Sequence, residues 1–260
     1  METGTLDGVT AGVAELQALA LTNYGHFTTF QVNSGRVRGL GLHLDRLRRD
    51  CRTLFDATLD VTRVREWVRA AVGDRSPAVV RVTVFDPAVG VARPAAPARP
   101  RVLVTVRAGV PAADQPLTVR TAAGERDAPE IKGVGLYGVV RERRLAQLAG
   151  FGDVLLTDRA GLIGEGATWN AGFVAADGTV VWPSGRCLDG VTMQLLRDVH
   201  PYLIRPLRPA DLRGMVAGFA TNAAVGVQPL ARADDVTLDP GHPVVARLAA
   251  AYASVAGDPL

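Results

Sequence analysis

The sequence predicts a mixed α/β fold in two domains, and three observations carry that expectation. The chain has 260 residues, 48% of them hydrophobic, enough for one large core or two smaller ones. Short β-branched runs alternate with segments of helical period along both halves, the pattern of mixed α and β architecture. A polar stretch at 121–131, carrying Pro129, interrupts the middle of the chain as a linker would. The expected division is a small N-terminal α/β domain over 1–115, its last strand ending near residue 110. An interdomain strand and linker follow at 116–131, then a larger C-terminal domain at 132–260.

In order, 27–32 is aromatic and β-branched and predicts a strand. Asn33-Ser34-Gly35 supplies turn chemistry, so a second short strand at 36–40 would complete a hairpin. Leu44, Leu47, Cys51 and Leu54 recur at helical spacing, and a second helix is expected at 61–72. Buried strands at 78–85 and 101–107 flank a Pro/Ala/Gly-rich loop at 86–100, expected to be mobile or partner-bound. The pattern continues with a strand at 117–123, a helix at 137–148 and a strand at 153–157. A strand pair at 162–175 and 179–182 precedes a helix at 191–199. Strands at 218–221 and 225–230 and a terminal helix at 243–255 complete it.

Composition narrows the function classes. A formal charge of +3, with basic residues scattered among acidic ones, gives no nucleic-acid footprint. Cys51 and Cys187 have no metal-ligand spacing, so no metal site is expected. The N-terminus has no basic flank followed by an apolar secretory run, which favours a cytoplasmic location. Every apolar stretch is broken by Arg, Asp or Gly before the roughly 18 residues that a membrane helix needs.

One of the 29 basic residues is a lysine, Lys132; the others are arginines. A guanidinium replaces an ammonium wherever charge alone is needed, but it cannot become the neutral primary amine that condenses with a carbonyl. A sole lysine therefore suits Schiff-base chemistry, or is an ordinary solvated side chain left by compositional drift. Gly133, Gly135 and Gly138 form a GxGxxG with Asp158 twenty residues on, the outline of a dinucleotide fingerprint. That loop must leave a buried strand, and Glu125-Arg126-Asp127-Ala128-Pro129-Glu130 cannot be one. Close backbone packing is the plainer explanation of the glycines.

Several separated segments decide between these readings. They are Phe27-Thr28-Thr29, His43-Leu44-Asp45-Arg46-Leu47, Glu130 to Tyr137 around Lys132, Glu165 to Asn170, Leu188-Asp189-Gly190-Val191-Thr192, and Thr221-Asn222-Ala223 through Pro229. In this order the chain resembles the class IV aminotransferases, the fold type IV pyridoxal phosphate enzymes. That resemblance implies a D-amino-acid-aminotransferase-like fold, a cofactor-binding C-terminal domain, pyridoxal 5'-phosphate and a homodimer with its active site between the domains. Lys132 would form the Schiff base and move protons. Glu165 would face the pyridine nitrogen and keep it protonated, making the ring an electron sink. Tyr137 would bond the ring hydroxyl, and Asn170 would line the same site. Arg46 would bind the phosphate, with Val191 and Thr192 at a helix start and Asn222 and Ala223 in a second phosphate turn.

The family contains transaminases and aminodeoxychorismate lyases. Phe27-Thr28-Thr29 and the Asp50-Cys51 pair resemble the lyase pattern, whereas Asn23-Tyr24-Gly25-His26 replaces the usual Gly-Asp-Gly. Expected substrate contacts are His26, Thr28 and Arg81. Arg81 stands in for the Arg-x-His carboxylate trap of D-amino-acid transaminases, which this chain lacks. The expected activity is amino-group transfer from an amino acid or (R)-amine donor to a 2-oxo acid acceptor. The alternatives are a 4-amino-4-deoxychorismate lyase releasing pyruvate and 4-aminobenzoate, and a non-catalytic homologue.

Overall fold

A computed structural model describes residues 3–109, 111, 115–197 and 199–260. Val110, where the small domain was expected to end, and Asp198, inside the predicted 191–199 helix, lie outside the described residues. The chain forms two compact units. One comprises Met1–Val110, Ile131–Gly135 and Ala256–Leu260; the other comprises Pro111–Glu130 and Leu136–Val255.

The first unit is built on a five-stranded antiparallel sheet in the order Val9–Thr10, Thr3–Leu6, Arg101–Ala108, Ala78–Phe85, His26–Val32. Ala78–Phe85 is a central strand and nearly all its side chains are buried, which is why it is a mostly apolar, β-branched run broken only by Arg81. Val80, Val82, Val102, Val104 and Val106 meet Leu47, Cys51, Val64 and Val68 from the helices Leu40–Phe55 and Val61–Val72. Asp60 caps the second helix by accepting from the Thr62 and Arg63 amides. The expected strand at 36–40 shrinks to Arg36–Val37, because Gly39 turns left-handed at φ 66° and Leu40 opens a helix. Only an Asn33–Arg36 bridge remains of the hairpin, and Arg36–Val37 pairs with Asp258–Pro259 instead. The 86–100 loop has a fixed base, since Asp86 accepts from the Ala88 and Arg99 amides at 2.8 and 2.5 Å.

The Lys132 segment lies along the edge strand His26–Val32. The Phe27 amide donates to the Lys132 carbonyl at 2.8 Å, and the Val134 amide to the Gly25 carbonyl at 3.0 Å. Gly25 has to be glycine: its φ is 155° and a Cβ would sit 2.6 Å from the Val84 carbonyl oxygen.

The second unit holds a sheet of nine strands among the described residues. Its main path runs Tyr202–Arg205, Val180–Pro183, Asn170–Ala175, Met215–Asn222, Gly226–Ala233, Leu117–Ala123, Asp153–Thr157, Ile163–Gly166, with Val236–Thr237 on the flank. Pairing of Glu165 with Asn170 joins the last of these strands back to the third, closing six strands into a ring. Leu117–Ala123 and Asp153–Thr157 are parallel neighbours, which demands a long crossover, and the helix Tyr137–Leu148 supplies it. Arg143 grips both Asp153 oxygens at 2.9 and 2.7 Å, and the Trp169 indole donates to the same carboxylate. A second layer packs Trp182 edge-on to Phe219 against the helices Val191–Arg197 and Pro243–Ser254. The described part of the predicted 191–199 helix ends at Arg197. Among the described residues no helix is long and apolar enough to cross a membrane.

Candidate active site

In the first unit, Phe27 is the platform for two cations. Lys132 Nζ lies 5.0 Å from its ring centroid and the Arg81 guanidinium carbon 3.6 Å. Arg81 is partly buried, and desolvation lowers its pKa. Its one side-chain hydrogen bond among the described residues goes to Thr83 Oγ1 at 3.2 Å, and no carboxylate pairs with it. Alternation along Ala78–Phe85 thus turns Arg81 to the Phe27 ring, on the edge strand beside it.

The helix Leu40–Phe55 buries a polar stripe of His43, Arg46 and Asp50, three and four residues apart and so on one face. Arg46 Nη2 donates to Thr28 Oγ1 at 2.6 Å, and Thr28 Oγ1 lies 2.7 Å from His43 Nδ1. Asp50 accepts from Arg49 at 2.8 Å through Oδ1 and from the Lys132 amide at 3.2 Å through Oδ2. Thr28 and His26, expected as substrate contacts, are both fully buried. Neither His26 ring nitrogen has a hydrogen-bond partner among the described residues. Burial, with Arg46 and Arg49 nearby, pushes its pKa down to about 3.

In the second unit, Glu165 is held at both oxygens. Arg126 donates to Oε1 through Nε at 2.9 Å and Nη2 at 2.8 Å, and the Leu188 amide donates to Oε2 at 3.3 Å. Its cross-strand partner Asn170 donates Nδ2 to the Leu188 carbonyl at 2.6 Å, so the Leu188 residue is bracketed on both sides. A Cβ on Gly190 would come 2.0 Å from Asn170 Oδ1, which keeps that position a glycine. Val191 and Thr192 open the next helix and are buried; Thr192 Oγ1 has no partner among the described residues. Asn222 Oδ1 accepts from the Ala224 and Val225 amides at 3.0 and 2.9 Å, so it holds the turn that contains Ala223. Tyr137 begins the crossover helix with 80% of its surface exposed.

Sequence reasoning did not single out Arg126 or His43. Arg126 sits in a segment without periodicity, and only the fold brings it to Glu165, 39 positions away. His43 carried a signal, three residues before Arg46 on the same helix face. The dinucleotide outline stays without its strand, since 124–136 contains none. Close packing does not account for its glycines either: a Cβ on Gly133 or Gly135 meets nothing nearer than 3.8 Å, and one on Gly138 meets nothing.

Solved structures share this fold. The chain is similar to a branched-chain aminotransferase from the thermophilic archaeon Thermoproteus uzoniensis, solved with norvaline, at TM-score 0.87 and 16% identity, covering 96% of this chain and 93% of that one. It is similar to a fold IV transaminase from Curtobacterium pusillum at TM-score 0.80 and 23% identity, covering 98% and 99%. A hypothetical aminotransferase from Mycobacterium tuberculosis, in a form bound to pyridoxal phosphate, matches at TM-score 0.81 and 18% identity, covering 97% and 98%. At these identities the likeness establishes the fold. No curated protein matches the chain. The family model for amino-transferase class IV matches residues 25–233, which takes in every segment that carried the resemblance, and the chain belongs to that family.

Proposed function

We propose that the protein is a pyridoxal-phosphate-dependent transaminase that moves an amino group between an amino acid or (R)-amine and a 2-oxo acid. The observation that carries this reading is Lys132. The one primary amine among the side chains is fixed by backbone hydrogen bonds on both its amide and its carbonyl, beside an arginine with no anionic partner among the described residues.

The residues present fit the cofactor. In the second unit Thr192 Oγ1 is buried without a partner among the described residues at a helix start, where first-turn amides have no intrahelical acceptor; in the first unit Arg46 is a buried guanidinium; each donor type by itself suits an oxyanion. Glu165, paired with Arg126, supplies a carboxylate for a pyridinium N–H. Bound pyridoxal phosphate supplies a carbonyl for amine exchange and an electron sink for the donor carbon. The chain does the rest. Lys132 Nζ takes the proton from the donor's α-carbon, a task no guanidinium performs. Arg81 takes the carboxylate of the 2-oxo acid and of an amino-acid donor, while Asn170 holds Leu188 and with it the approach to the Val191 helix. Tyr137 serves the ring hydroxyl and the Asn222–Ala223 turn adds backbone donors. Two cysteines without a disulfide agree with a cytoplasmic protein, and family likeness supports a homodimer.

Purified protein with added cofactor, exposed in turn to D-amino acids, L-amino acids and (R)-amines, tests the reading. The visible cofactor band should convert to the amine form with one donor class and return on adding a 2-oxo acid. Release of pyruvate and 4-aminobenzoate from aminodeoxychorismate without added 2-oxo acid would move the assignment to the lyase. A protein that takes up no cofactor would refute both.

A further inference from the structure

Beside the amine, the first unit contains a one-way hydrogen-bond chain. Arg46 Nη2 donates to Thr28 Oγ1 at 2.6 Å, so that oxygen already receives one proton. The hydroxyl's own proton then needs an acceptor, and His43 Nδ1 lies 2.7 Å away. Among the described residues Nδ1 is the one acceptor in reach of that proton, which assigns His43 the neutral tautomer protonated at Nε2, with the buried Nε2–H left without a partner of its own. Burial, with Arg46 and Lys132 nearby, holds its pKa well below the ordinary 6.5 and excludes the doubly protonated ring. The ring is fixed as well: it is fully buried and tilted against Phe30 at 5.1 Å.

We infer that His43 is a positioning residue, which fixes Arg46 for binding an anionic group by holding the Thr28 hydroxyl in one rotamer. The inference rests on the reading of Arg46 as the phosphate arginine. A free threonine hydroxyl rotates among three staggered wells. In one of them its proton would point at the guanidinium and repel it. By capturing that proton, His43 Nδ1 leaves a lone pair aimed at Arg46, and donors linked in series strengthen one another. Arginine loses considerable rotamer freedom on docking an oxyanion, so an arginine already anchored binds with less left to lose. The helix Leu40–Phe55 and the strand His26–Val32 meet where this chain crosses from one to the other, so the packing of two elements sets the angle of the guanidinium.

The test compares equilibrium affinity for pyridoxal 5'-phosphate with that for pyridoxal, which lacks the phosphate. Arg46→Gln is the control that reports on the arginine. His43→Leu removes the acceptor; His43→Asn replaces it with an amide oxygen near the place of Nδ1; Thr28→Val removes the hydroxyl at constant shape. We expect His43→Leu and Thr28→Val each to weaken pyridoxal phosphate about tenfold and pyridoxal less than about twofold. Their double variant should be no weaker than either alone, and His43→Asn should recover most of the loss. Should His43→Leu fold poorly, His43→Gln, whose amide oxygen falls near the place of Nε2 and not of Nδ1, decides the matter against His43→Asn. If Arg46→Gln discriminates between the two ligands and the His43 and Thr28 variants do not, the inference is overturned while the arginine's role stands. If Arg46→Gln weakens both equally, the phosphate reading fails and the inference fails with it.

Discussion

The amide of Lys132 donates to Asp50, a fully buried carboxylate one turn beyond Arg46 on the helix Leu40–Phe55, at 3.2 Å. The amine-bearing segment is thus anchored to the helix that presents the arginine, and Arg49 neutralises the anchor from the solvent side. A buried carboxylate is costly unless paired and hydrogen-bonded, and Asp50 is both.

Asp50→Leu should therefore leave the Lys132 amide without its acceptor and lower stability by about 1–3 kcal/mol. Asp50→Asn keeps a carbonyl acceptor and frees Arg49 into solvent, so it should cost less. Urea unfolding of the three proteins measures the difference. Equal losses would mean that the amide contact contributes nothing.

The Glu165–Arg126 pair is nearly buried, with side chains 9% and 12% exposed. Removing one partner strands the other, so Glu165→Gln should destabilise by about 3–5 kcal/mol. Asp235→Asn removes a partner from the exposed Arg213–Asp235 pair and should leave the unfolding midpoint where it was. In the proposed reading Glu165→Gln also reduces turnover, whereas Asp235→Asn does not.

The two buried histidines predict a pH dependence. Both have lowered pKa values in the folded state, His26 at about 3 against an ordinary 6.5. Between those values the unfolded chain binds more protons, so stability rises with pH across that window and levels off above 6.5. Their contribution is fully present near neutrality and is lost as the pH falls, at up to about 1.4 kcal/mol per pH unit for each histidine. Urea midpoints from pH 7 down to 4 check this, and His26→Phe should flatten part of the slope.

Arg81→Met removes the guanidinium over Phe27 and keeps an apolar side chain there. In the proposed reading, where Arg81 takes the substrate carboxylate, it should raise KM for a 2-oxo acid acceptor at least about tenfold while cofactor affinity stays within about twofold. Unchanged KM values would remove Arg81 from the substrate site.

Much of the fold was legible because periodicity survives in this chain. The helix Val61–Val72 begins and ends where its apolar spacing does, and Ala78–Phe85 announces a buried strand by composition. What was missed lacks such a signal. The strand Tyr202–Arg205 is exposed on both faces at a sheet edge, so no alternation marks it; the helix Val13–Thr22 buries no residue, so no stripe does. The 162–175 run proved to be two strands, Ile163–Gly166 and Asn170–Ala175, with the Glu165–Asn170 pair at their junction. In the candidate site, residue type alone made Lys132 a candidate, because only an amine has the chemistry proposed for it. It did not suffice for Arg126 or His43, whose tasks depend on which neighbours the fold gives them.

Mass analysis after borohydride reduction asks whether Lys132 carries the cofactor. Reduced in the presence of pyridoxal phosphate, the protein should gain one phosphopyridoxyl group, on the peptide containing Lys132. The Lys132→Arg variant should gain none there, and its turnover should fall by about a thousandfold or more, charge being kept and the amine lost. A Lys132→Arg protein that still fixes the cofactor covalently or turns over at a normal rate would show that Lys132 is not the Schiff-base amine.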